Sequence, residues 1–125
     1  MTTIRRNRLL AYLPLLFWLG VALITVLALI PGPSVPHALR FWDKAQHALA
    51  FAALALTGGL AFPCHVRHVF IGLMAHGALI EITQSTLTST RFGDPVDWFA
   101  DCIGVVFGLA VCVAWRRCDE RRNWG

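Results

Sequence analysis

The sequence predicts an all-α, polytopic membrane protein, with four transmembrane helices forming an antiparallel bundle in a single domain over 1–125. Three observations predict it. Of the 125 residues, 57% are hydrophobic and only 14% are charged, where a soluble domain carries about 25% charged residues. Mean hydropathy is +0.61, which points to lipid as the solvent. The apolar residues also fall into four runs, each close to the roughly 20 helical residues that cross a hydrocarbon core. The runs are continuous rather than alternating, which argues against a β-barrel.

The elements follow in order. Leu9–Ile30 supplies 22 residues without a charge. Arg5, Arg6 and Arg8 give it a basic lead, as in a signal peptide, but the run exceeds the usual h-region and Ala28 is a poor cleavage cue. It is therefore read as a retained span. Pro31-Gly32-Pro33-Ser34-Val35-Pro36 ends it abruptly and is expected to run extended over the outer surface. Ala45–Phe62 supplies 18 residues, interrupted by Gln46, His47 and Thr57. Val69–Leu87 supplies 19, enclosing His76 and Glu81. Val96–Trp115 supplies 20, enclosing Asp97 and Asp101. The short connections make consecutive helices antiparallel.

Charge sets the expected orientation. The net charge is +4, with eight of the eleven basic residues in the amino tail, the 63–68 loop and the carboxyl tail. The positive-inside rule puts those three segments, and so both termini, in the cytoplasm. Trp42 and Trp98 then lie at the outer interface and Trp115 at the inner one. This asymmetry is a topology signal, and a chain with so little water-exposed face needs no nucleic acid to explain its basicity. Cys64, Cys102, Cys112 and Cys118 lack zinc-like pairing and are read as inert.

Beyond Asp119 and Glu120, every carboxylate falls in the outer half: Asp43, Glu81, Asp94, Asp97 and Asp101. Lys44, His47, Gln84 and Arg91 fall there too. Asp43 and His47 are spaced i, i+4. Gly77, Glu81 and Gln84 share a face, as do Asp94, Asp97, Asp101, Gly104 and Gly108. Small residues at the Gly104-x-x-x-Gly108 spacing let backbones approach, so the acidic stripe is expected to face the bundle interior. Structural roles account for part of this set. Asp94-Pro95-Val96-Asp97 has the pattern of a helix start, with Asp94 as N-cap. Asp43 fits an N-cap, Lys44 and Arg40 fit headgroup snorkelling, and His76 fits a neutral, hydrogen-bonded core position. Asp101 lies too deep to cap, Glu81 is at the wrong end of its helix for the macrodipole, and His47 is one turn below the surface. Intramembrane charge of this kind is by default a functional-site hypothesis, though a buried structural network with Arg91 and Lys44 is the alternative.

The same residues carry a family resemblance. Asp43-Lys44-x-x-His47-x-x-x-Phe51, Glu81-x-x-Gln84, Arg91, Asp94-x-x-Asp97 and Asp101-x-x-Gly104-x-x-x-Gly108, in this order and hydropathy frame, resemble the VanZ-like family of small bacterial membrane proteins. The resemblance covers about residues 9–115. It departs at Asp101, where the family pattern has Asn or another polar residue. It implies an inner-membrane, cell-envelope role and reduced sensitivity to glycopeptides such as teicoplanin, without implying a known reaction.

Two functional expectations follow. In the first, Asp43, Lys44, His47, Glu81, Gln84, Arg91, Asp97 and Asp101 form a binding site for an anionic lipid or lipid-linked envelope precursor. Lys44 and Arg91 hold phosphate, and the carboxylates hold amines or hydroxyls. In the alternative, His47, Glu81 and Asp101 are catalytic candidates of an intramembrane hydrolase or transferase. There His47 is a base oriented by Asp43, and Glu81 and Asp101 are acids or ligands. The sequence assigns no cofactor and no metal ligand, although two carboxylates plus a histidine suit a hard divalent cation. A four-span ion-coupled carrier without repeats ranks last.

Overall fold

The computed structural model describes residues 10–30, 40–87 and 93–123, and within them every regular element is an α-helix. We label them α1 (Leu13–Leu29), α2 (Arg40–Ala61), α3 (Val66–Leu87) and α4 (Pro95–Asn123). The amino tail, the Pro31–Pro36 segment and Arg91 lie outside the described residues.

Local chemistry explains most of the boundaries. Pro14 sits in the first turn of α1, where its missing N–H is not needed. Asp94 accepts the Val96 N–H through Oδ1 at 2.9 Å, and its carbonyl accepts from Asp97 at 2.8 Å. It is thus the N-cap of α4 with Pro95 at the first helical position, as the sequence suggests. α1 is shorter than the expected 9–30 and α3 starts three residues early, at Val66; two further boundary differences bear on the site and its end of the bundle. α2 already runs from Arg40, so Asp43 lies within its first turn rather than ahead of it. α4 continues to Asn123, well past Trp115. Its last turns are rich in arginine, which suits the negative end of the helix dipole. Arg116 also ties α4 to the α2–α3 turn, donating from Nη1 to the Pro63 carbonyl at 3.2 Å.

Consecutive helices run antiparallel. Leu54 of α2 packs beside Gly20 of α1, and Phe17 of α1 beside Gly58 of α2. Phe51 of α2 lies against His76 of α3, with ring centroids 5.9 Å apart, while Gly58 lies against Val69. The most extensive interface, however, joins two helices that are not consecutive, the parallel pair α2 and α4. A Cβ on Gly104 would overlap the Ala48 carbonyl oxygen, and one on Gly108 would overlap the Ala52 carbonyl oxygen. A methyl group at either position would therefore force the two backbones apart. Around this contact sits a core of Phe51, Leu54, Ala55, Val105 and Leu109, closed by Val69, Leu73 and Ile80 of α3. α1 is peripheral, burying only Phe17 and Ala28.

The surface is apolar. Leu15, Leu16, Trp18, Leu19, Leu23 and Leu27 of α1 are exposed, as are Ile71, Leu79 and Ile82 of α3 and Ile103, Val106 and Phe107 of α4. α3 and residues Pro95–Arg121 of α4 are long and apolar enough to cross a membrane, and only 28% and 33% of their apolar windows are buried within the protein. α1 is a shorter apolar helix.

The glycine contact gives a stability prediction. Gly104→Ala should lower stability by about 1–3 kcal/mol, the usual cost of overpacking. Gly72→Ala, where a Cβ meets nothing within 4 Å, should be neutral or stabilising by up to about 1 kcal/mol. Thermal unfolding in detergent, followed by circular dichroism, checks both.

Candidate functional site

The helix directions bring the start of α2, the end of α3 and the start of α4 to one end of the bundle. The Lys44 ammonium sits between two carboxylates there, 2.6 Å from Asp97 Oδ1 and 3.0 Å from Asp94 Oδ2. The hydrogen bond to Asp97 raises the Lys44 pKa above its ordinary value, desolvation opposes it, and Asp94 adds to the rise. One positive charge thus faces two negative ones, all of them partly exposed.

One turn further along α2 lies His47. Its Nδ1 is 3.1 Å from Asp101 Oδ1. With Asp101 ionised, the carboxylate accepts and Nδ1 is the donor. Asp101 lies two turns beyond Asp94 on α4, about 10 Å deeper at roughly 1.5 Å per residue. It is 2% exposed. The partner that orients His47 is therefore Asp101, not Asp43 as the sequence reading proposed. Asp43 is nearby nonetheless: one donor atom from each of Asp43, His47 and Asp97 lies within 4.8 Å of the others.

Glu81 completes the deep part of the site. It is 8% exposed, and its Oε2 accepts the Asp94 backbone N–H at 2.7 Å. This resolves the puzzle of an acid at the carboxyl end of α3. The glutamate serves the amino end of the next helix, where negative charge is favoured. Donor atoms of His47, Glu81 and Asp101 lie within 4.8 Å of one another. Among the described residues, Glu81 Oε1 and Asp101 Oδ2 are both buried without a hydrogen-bond partner.

The other expected site residues are distributed differently. Gln84 is buried on the same face as Glu81 but points to the α1–α3 seam, where Nε2 donates to the Ala28 carbonyl at 2.7 Å. His76 joins the same seam deeper in, 3.3 Å from Thr25 Oγ1, in keeping with a hydrogen-bonded core role. Lys44, His47, Glu81, Asp94, Asp97 and Asp101 are brought together.

Three supporting residues were not singled out as parts of the site from sequence. Trp98 Nε1 donates to the Met74 carbonyl at 3.1 Å, holding α4 against α3. A Cβ on Gly77 would stand 3.0 Å from Asp101 Oδ2 and 3.2 Å from the Trp98 ring, so the glycine leaves room for both. Gly93 lies so close to the Glu81 carbonyl and Ser85 that a Cβ would overlap them. Its signal was its place directly before Asp94-Pro95. For Trp98 the signal pointed elsewhere, since tryptophan near a span end reads first as an interfacial ring.

Comparison of the chain with protein-family models, curated proteins and solved structures gives no match.

The seam bond gives a second prediction. Gln84→Met keeps the volume but removes the hydrogen bond from Nε2 to the Ala28 carbonyl. It should cost about 1–3 kcal/mol, as loss of one partner of a buried hydrogen bond does. The test is thermal unfolding, with proteolysis expected to cut the amino-terminal helix first.

Proposed function

We propose that the chain is a VanZ-like integral protein of the bacterial inner membrane, crossing it four times with both termini cytoplasmic. It binds the headgroup of an anionic lipid or lipid-linked envelope precursor at the outer leaflet. The observation that carries this reading is the contrast between the two parts of the molecule. The exposed faces of α1, α3 and α4 are lined with Leu, Ile, Val, Phe and Trp, while Lys44, His47, Glu81, Asp94, Asp97 and Asp101 meet at a single end. Exposed apolar area on this scale suits lipid rather than water. A polar site at the end of such a bundle lies at headgroup depth, where phosphate, amine and hydroxyl groups are found.

The lining defines what the headgroup must offer. Asp94 and Asp97 already bind the Lys44 ammonium, so a phosphate at Lys44 competes with two carboxylates. A headgroup that carries an amine or hydroxyls beside its phosphate answers both signs of charge. Arg91 is the second cation assigned to the phosphate. Binding of such a precursor accounts for the envelope role and the altered glycopeptide sensitivity that the family resemblance implies.

A second reading, an intramembrane hydrolase or transferase acting on the same class of headgroup, is favoured by one contact. The His47–Asp101 bond at 3.1 Å couples an imidazole to an orienting carboxylate, the arrangement a general base requires. On that reading an isosteric Glu81→Gln protein that folds normally loses turnover. Full activity in that variant rejects it.

Two experiments test the main proposal. Native mass spectrometry of the purified protein should show a retained phosphate-bearing lipid, lost from Lys44→Ala and Arg91→Ala. Unchanged retention in both variants overturns headgroup binding. For topology, the exposed Cys64 and Cys118 should react with a membrane-impermeant maleimide in inverted vesicles and stay unlabelled in intact spheroplasts. Labelling of either in spheroplasts overturns the orientation.

A further inference from the structure

Among the described residues, the deep part of the site has more carboxylate oxygens than hydrogen-bond donors to meet them. Lys44 is committed to Asp94 and Asp97. Beneath it lie Glu81 and Asp101, 8% and 2% exposed. Each satisfies one carboxylate oxygen, Glu81 through the Asp94 N–H and Asp101 through His47. The second oxygen of each, Glu81 Oε1 and Asp101 Oδ2, is buried without a hydrogen-bond partner among the described residues. Leaving a buried acceptor unsatisfied is costly, and more so when it is charged. Two such oxygens beside a histidine call for a positive group.

We propose that His47, Glu81 and Asp101 bind a divalent metal cation. One donor atom from each residue lies within 4.8 Å of the other two. His47 Nδ1 and Asp101 Oδ1 stand 3.1 Å apart. Neighbouring ligands on an ion with bonds of about 2.0–2.2 Å are separated by about 3.0–3.5 Å. The imidazole and the carboxylate are thus already spaced as two adjacent ligands. The ion takes the place of the hydrogen between them: an imidazolium gives up its Nδ1 proton to solvent, and a neutral imidazole binds as the tautomer protonated on Nε2. Glu81 supplies the third donor atom, within 4.8 Å of the other two.

The donor set narrows the ion. One imidazole nitrogen and two carboxylates suit Mn²⁺ or Zn²⁺ better than Ca²⁺, which takes six to eight oxygens. Gly77 supports the assignment, because a Cβ there would crowd Asp101 Oδ2 at 3.0 Å. The shallower group, Asp43, His47 and Asp97, is weaker on two counts: its members are only half-buried, and Asp97 already binds Lys44. The presence of the ion does not depend on the headgroup reading. Its use does rest on that reading: a divalent cation beneath Lys44 turns an acidic recess into one that attracts phosphate.

The test uses the full chain in lipid nanodiscs of neutral phosphatidylcholine, stripped with chelator and titrated with Mn²⁺. Electron paramagnetic resonance should show one tightly bound Mn²⁺ per chain with a ¹⁴N coupling, displaced by Zn²⁺. Glu81→Gln and Asp101→Asn should each weaken binding at least tenfold, and His47→Gln should remove the nitrogen coupling. Asp43→Asn should bind as wild type. Circular dichroism guards against misfolding, since the isosteric variants remove uncompensated charge and should keep the helical signal. Mn²⁺ should raise the melting temperature of wild type and of Asp43→Asn but not of Glu81→Gln. The proposal is overturned if wild type binds no ion below the millimolar range, if Glu81→Gln and Asp101→Asn bind as wild type, or if Asp43→Asn abolishes binding while Glu81→Gln does not. No precursor is present in this titration. A failed ion and a failed headgroup therefore remain distinguishable.

Discussion

The close approach of α2 and α4 is the constraint on which the rest depends. Gly104 and Gly108 set the two backbones against Ala48 and Ala52 with no room for a methyl group. Because the two helices are parallel, this contact fixes their register over their whole shared length. Residue 44 then meets 94 and 97, and residue 47 meets 101. A slip of one residue on either helix would rotate Asp101 by about 100° and aim it at the apolar surface. The ion pairs do not hold the helices together in the first place. The glycine seam holds them, and the ion pairs are what that seam brings within reach.

Electrostatics then explains why the site has two levels. At the shallow level, Lys44 with Asp94 and Asp97 is partly exposed, with side-chain exposures of 28%, 42% and 14%. Solvent screens such a group, and its net worth is modest. At the deep level, Asp101 and Glu81 are nearly dry, and screening no longer helps. Burial of a charge without full compensation works against stability. The structure reduces that cost by giving each carboxylate one strong donor. Among the described residues, the other oxygen of each has no hydrogen-bond partner.

Much of this was legible in sequence, and what was not has definite causes. The face shared by Gly77, Glu81 and Gln84, and the stripe from Asp94 to Gly108, follow from helical periodicity, and both stripes turn inward. The N-cap at Asp94 follows from the Asp-Pro pattern. Periodicity says nothing, however, about which stripe meets which. The antiparallel order of neighbours was readable from short loops, but the dominance of the parallel α2–α4 pair depends on glycine depth in three dimensions. The partner of His47 followed the same limit: Asp43, one turn away in sequence, looked like the orienting acid, and Asp101, 54 residues away, holds that place. Gln84 shares a face with Glu81, yet one turn of helix moves it from the site to the α1 seam.

Asp101 gathers these threads. An asparagine at this position would present a neutral amide to His47 at lower electrostatic cost. Its amide nitrogen would also place a donor in the acidic recess. An aspartate does the reverse. It fixes the proton on His47 Nδ1, adds a charge, and leaves Oδ2 in a space that Gly77 keeps open. Stability alone does not favour that choice, because the neutral residue needs no compensation. Residues that break a local rule in this way are expected at functional sites. The glycine seam delivers the carboxylate to that depth, and its charge becomes an asset only when a cation arrives.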